Sequence, residues 1–150
     1  APGSGKGTFS QYLAEKYGYI QICPGDIFRN EIKAQTELGK KIQSIVDRGD
    51  YVDEDIVCKL ISDNLKHAID QKKGFIIDGF PRSDISFNFL NTYLQDKNLV
   101  NNVIFLQLEA SDDICTKRIL DRQVCTHCFK VYNITSAKPK EENKCECGTE

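Results

Sequence analysis

Phe9, Leu13 and Tyr17 recur at every fourth position, a helical spacing that predicts a helix over residues 5–18, ended by Gly18. A short strand is expected at 19–22. Pro24, Gly25 and Asp26 read as a turn and cap leading into a helix over 27–34, and an amphipathic helix follows over 37–48, closed by Gly49. Asp53, Glu54 and Asp55 place acids at the start of a longer helix, where the dipole favours them. Its Ile56, Val57, Leu60, Ile61, Leu65 and Ile69 form one stripe suited to packing on a sheet. Phe75, Ile76 and Ile77 make a brief apolar run ending at Asp78 and Gly79, as expected of a fully buried parallel strand whose C-terminal end meets a ligand. A helix over 83–95, a second buried strand over 103–108 and a helix from Ser111 to about Arg122 complete the pattern. Strands alternating with helices imply an α/β fold with a parallel sheet. From Gln123 onward periodicity gives way to cysteines and turn residues, which predicts a separate small module.

Composition narrows the class. At 150 residues the chain is the size of one ordinary domain, and 40% apolar with 28% charged residues describes a globular protein. A net charge of −2 lacks the basic surface that nonspecific nucleic-acid binding requires, so phosphate recognition has to be local. No run of about 18 apolar residues is present, which argues against a membrane span and for a cytoplasmic protein. Seven cysteines, an odd number, without an export signal argue against a disulfide framework.

The sharpest chemical signal is Gly3-Ser4-Gly5-Lys6-Gly7-Thr8 at the head of a predicted helix. Glycines let backbone N–H groups curl around phosphate oxygens, the helix start adds partial positive charge, and a lysine brings a mobile full charge to the terminal phosphates. The general P-loop pattern has a serine or threonine directly after the lysine, where this chain has Gly7.

The run from Ala1 to Thr8 resembles the adenylate kinase form of the loop, in which Lys-Gly-Thr takes that place. Asp78-Gly79-Phe80-Pro81-Arg82 and Gly25-Asp26 followed by Arg29 are similar to two further signatures of the family, in the same order. The resemblance implies a three-layer P-loop fold with a helical monophosphate-binding insertion and a small lid, acting as a monomer on ATP and AMP. The segments expected are core over 1–22, the insertion over 23–52, core over 53–120 and an incomplete lid over 121–150. A strand before the loop, and lid arginines, a strand and terminal helices after residue 150, are expected in a longer parent protein.

By the same resemblance, Gly3 to Thr8 with Lys6 hold the ATP phosphates, and Asp78 organises Mg2+ through water. Arg82 and Arg29 bind the phosphate of the acceptor. Pro24, Asp26, Asp50, Tyr51, Val52, Gly79, Phe80, Pro81 and Ser86 line the AMP side. Arg118 and Arg122, four apart on one predicted helical face, are expected to stack on the ATP base and to contact phosphate, with Val131 and Tyr132 covering ATP. The catalytic set is thus Lys6, Asp78, Arg82 and Arg122. The acceptor phosphate itself attacks, so alignment and charge neutralisation carry the reaction. Pro24 stands where the family has a serine or threonine, and Ser86 where a glutamine reads the adenine, which leaves a different nucleoside monophosphate open as acceptor.

Cys125 and Cys128 form CxxC, and Cys145 and Cys147 form CxC sixteen residues later. Two thiolate pairs brought together by a loop enclose a structural Zn2+ and staple a module too small for its own core. The usual second knuckle has two intervening residues rather than one; reduced metal-free thiols or another metal remain alternatives, with His127 a reserve ligand. A reading from another class is an ATP-binding switch carrying a zinc-ribbon interaction module without phosphoryl transfer.

Overall fold

The computed structural model describes residues 2–128, 130–141 and 143–149. Ala1, where the glycine-rich run begins, and Glu150, where the predicted lid ends, lie outside the described residues. The chain forms two compact units, residues 7–106 and residues 1–6 with 107–150.

The larger unit contains most of α1 (Lys6–Tyr17), then β1 (Ile20–Ile22), α2 (Pro24–Lys33), α3 (Glu37–Asp47), α4 (Glu54–Asp70), β2 (Phe75–Ile77) and α5 (Asp84–Asp96). The strands pair in parallel, Ile20 opposite Phe75 and Ile22 opposite Ile77, and the ladder extends by the Asp78 amide donating to Ile22 O at 3.0 Å. α2 begins three residues earlier than predicted. Pro24 occupies its first turn, where a missing N–H costs nothing because that group has no intrahelical partner. α3 is capped by Thr36, whose hydroxyl accepts from Gly39 N at 2.8 Å.

The core gathers Ile22, Cys58, Ile61, Leu65 and Phe80, with Ile20, Val57, Phe75, Ile77, Phe89 and Leu90 packed around them. The stripe read for α4 therefore supplies the centre of this unit through Ile61 and Leu65, both wholly buried. β2 is half-buried rather than fully buried, because among the described residues the parallel sheet has two strands and covers little surface.

The strand predicted over 103–108 is not formed. Ile104, Phe105 and Leu106 lie 82%, 87% and 64% exposed in irregular backbone. An apolar run supplies side chains for a strand, but a strand also needs a neighbour for its N–H and C=O groups, and no described strand pairs with this segment.

In the smaller unit α6 (Asp112–Leu120) is capped by Ser111 and followed by β3 (Arg122–Val124), antiparallel to β4 (Val131–Asn133). The helix expected to run to Arg122 stops at Leu120, so Arg118 and Arg122 do not share a helical face: Arg122 sits opposite Asn133 in the β-hairpin. The reason is local. The pairing of Arg122 and Gln123 with Asn133 and Tyr132 claims the backbone that another helical turn would need. No described helix is long and apolar enough to cross a membrane.

Candidate active site and cysteine cluster

Gly3 and Gly5 adopt φ of +79° and +93°, left-handed conformations that glycine reaches without steric cost, and they deliver the chain into α1 at Lys6. Gly3 is held from two directions within its unit. Arg118 Nη1 donates to Gly3 O at 3.3 Å, and a Cβ on Gly3 would lie 2.5 Å from Cys115 O. Cys115 lies outside every motif read from the sequence, yet its buried main chain forms the wall against which the loop is seated. No motif signalled that contact, which joins residues more than a hundred positions apart. Lys6 Nζ reaches Ser4 Oγ at 3.5 Å, and Ser4 is buried while Lys6 and Thr8 are exposed.

In the larger unit, Asp78 directly follows β2 and its Oδ2 lies 3.5 Å from where a Cβ on Gly7 would stand, so the carboxylate borders the first turn of α1. Gly79, with φ of +75°, turns the chain into the cis Phe80–Pro81 peptide, and Phe80 anchors the turn in the core. Arg82 folds back over the turn, its Nε donating to Gly79 O at 2.7 Å. Among the described residues its η nitrogens hydrogen-bond to nothing, and they face solvent as two donors suited to a phosphate.

Asp26 and Arg29 form an ion pair one turn apart on α2, with the guanidinium lying over Gly25. Cys23 caps that helix by its backbone alone, and burial pushes its thiol pKa up, with the Asp26 and Asp78 charges acting in the same direction. Pro24 is buried. Ser86 is 3% exposed with its hydroxyl engaged in the turn before α5, so neither it nor Pro24 offers a free side-chain group to a base. Asp50 accepts from Arg48 Nε at 3.0 Å, Tyr51 is 95% exposed, and Val52 is half-buried. Asp50 and Tyr51 line an open depression of about 520 Å³ with Lys41, Ser44, Ile45, Arg48 and Asp53. Arg29, Asp78 and Arg82 are not among its walls, and the placement of those three is the better guide to phosphate chemistry.

The four cysteines of the smaller unit converge. Their sulfurs all lie within 4.8 Å of one another, with Cys125 and Cys147 at 3.6 Å and Cys128 and Cys145 at 3.4 Å. A tetrahedral ion with Zn–S bonds of about 2.3 Å has S···S edges of about 3.8 Å, so the donor set fits the metal. Cys128 N donates to Cys125 Sγ at 3.5 Å, and the shortened second knuckle turns through Gly148, whose amide donates to Cys145 O at 2.8 Å. A residue in the left-handed region, Gly148 at φ +91°, thus makes up for the missing one. Hydrogen bonding with the Thr149 side chain and main chain brings the Cys147 thiol pKa down to about 6, and the Cys128 amide lowers that of Cys125. Both favour the thiolate that a metal needs.

Beside the cluster stands a network that sequence reading missed. Tyr132 is 7% exposed, its hydroxyl 3.2 Å from Cys145 Sγ and hydrogen-bonded to the Glu146 carboxylate, which pairs with Lys130 Nζ at 2.7 Å. Lys130, then Tyr132, hold the Glu146 pKa down to about 2. Tyr132 therefore faces the cysteines rather than open solvent, and of the two residues expected to cover ATP only Val131 is exposed. The one available signal was Glu146 standing between Cys145 and Cys147.

A family model described as adenylate kinase matches residues 1–144. The adenylate kinase of Thermosipho melanesiensis is 40% identical over 151 residues, spanning 99% of this chain and 69% of that protein. Adenylate kinases of Archaeoglobus fulgidus and Kosmotoga olearia are each 38% identical, spanning 99% and 97% of this chain and 68% and 66% of their own lengths. The chain thus spans about two thirds of the length of these relatives. With its signatures matched in order along nearly its entire length, the chain belongs to the adenylate kinase family, phosphotransferases whose reaction is ATP + AMP = 2 ADP.

Proposed function

We propose that this protein transfers the γ-phosphoryl group of ATP to a nucleoside monophosphate, AMP in the first instance, and runs the reaction in both directions. The observation that carries the reading is the turn over residues 78–82, a carboxylate and an outward guanidinium presented at the end of a parallel strand. A non-catalytic switch has no use for an acceptor-phosphate arginine, and the family is one of phosphotransferases.

The proposed roles follow from charge and position. Amides of residues 3–8 and Lys6 cradle the donor phosphates, with Arg118 steadying the loop through Gly3 O and Arg122 and Val131 on the donor side. Mg2+, which adenylate kinases use with ATP, neutralises phosphate charge when bound, and Asp78 is the residue suited to hold it through water. Arg82 and Arg29 bind the acceptor phosphate, which attacks in line, so the protein supplies alignment and charge rather than a nucleophile. Residues 23–52 form the monophosphate-binding part, supported by the packing of α3 on α2, and residues 121–150 form a lid closed by Zn2+ on the four cysteines. A monomeric, cytoplasmic enzyme completes the reading.

Pro24 and Ser86, without free side-chain groups, favour a second reading in which the acceptor base is held by main chain or is not adenine. A coupled assay with ATP and each of AMP, GMP, CMP and UMP separates the two. AMP turnover at least tenfold above the others supports the first, and a preference for another monophosphate replaces it.

A further inference from the structure

Ser86 carries more hydrogen bonds than a helix cap requires. Its Oγ accepts from Ser83 N at 3.0 Å, lies 2.9 Å from Ser83 Oγ and donates to Ser83 O at 3.0 Å, while Ser86 N donates to Ser83 Oγ at 3.1 Å, completing a reciprocal cap of α5. Beyond the cap, Arg82 N donates to the same Oγ at 3.1 Å. That bond fixes the main chain of the arginine while its Nε is fixed on Gly79 O. Arg82 is thereby held at its main-chain amide and at Nε, with the two η nitrogens left over.

We propose that Ser86 is a positioning residue for Arg82: its buried hydroxyl holds the arginine's amide so that the η nitrogens are presented in a fixed direction to a phosphate monoester dianion. The inference rests on the reading of Arg82 as the acceptor-phosphate ligand. Arginine binds phosphate best when its fork is oriented beforehand, since less rotational freedom is then lost on binding. A hydroxyl at residue 86 orients it without touching the nucleotide.

The test is a double-mutant cycle read as separate KM values for acceptor and ATP, with Ser83→Ala as the control for cap loss. Ser86→Ala is expected to raise the acceptor KM about three- to tenfold, the effect of one ordinary hydrogen bond, with the ATP KM unchanged. Ser86→Thr, which keeps the hydroxyl, restores it. Ser83→Ala breaks the cap and lowers the melting temperature, but leaves the Arg82 amide bonded to Ser86 and the acceptor KM within about twofold. In an Arg82→Ala background, Ser86→Ala adds no further loss. Additive effects in the double variant, equal changes in both KM values, or an unchanged acceptor KM in Ser86→Ala would overturn the proposal. An acceptor KM indifferent to Arg82→Ala would overturn the underlying assignment of Arg82 as well.

Discussion

A side chain at residue 3 meets two obstacles together, a left-handed backbone and the Cys115 carbonyl 2.5 Å from its Cβ. Gly3→Ala is therefore expected to destabilise the smaller unit by roughly 1–3 kcal/mol from backbone strain alone. The measurement is thermal melting alongside ATP titration, and a variant that melts and binds like the original would remove Gly3 from the phosphate loop's architecture. Lys6 serves chemistry instead. Lys6→Met is expected to lower kcat about a hundredfold or more, the scale of losing one preorganised charge partner of the transferred group, with melting unchanged. At this scale the sequence was legible in the glycines, whose left-handed backbone the structure shows at residues 3, 5 and 79. It was uninformative about Tyr132, whose inward direction is set by the Cys145 and Glu146 contacts, and about Arg122, removed from its helical neighbour by strand pairing.

Among the elements, α2 and α3 illustrate a sign reversal. Gly→Ala inside a helix ordinarily stabilises by about 1 kcal/mol, yet Gly39 lies against α2 so closely that its Cβ would stand 2.0 Å from Glu31 O. Gly39→Ala should instead destabilise, by about 1–3 kcal/mol through overpacking; denaturant unfolding reads the sign directly, and a stabilised variant would contradict the close approach. The cysteine hairpin yields a second expectation. Elemental analysis should find one zinc per chain, Cys145→Ser should lose it, and Tyr132→Phe should weaken retention against a chelator about tenfold or more, as loss of a supporting hydrogen bond to a ligand does. Metal-free protein with an unchanged melt after chelation would refute the zinc reading. Helices were legible from their spacing, whereas the cap of α2 falls at Cys23 rather than in the Pro24-Gly25-Asp26 run, and the Thr36 cap of α3 went unread. The segment at 103–108 was not legible, because apolar content says nothing about whether a partner strand is present.

On the scale of the whole molecule, the order of signatures along the chain and its match to the adenylate kinases speak for one reaction in which the enzyme orients two phosphates. Such a catalyst has no covalent intermediate to trap, so its signature is stoichiometry. The most direct measurement is phosphorus NMR of the protein with ATP, Mg2+ and AMP, followed to equilibrium from either side. The expected result is two ADP formed for each AMP consumed, the reverse reaction starting from ADP, and no inorganic phosphate. Release of phosphate from ATP without ADP gain from AMP, or no change in either nucleotide, would contradict it.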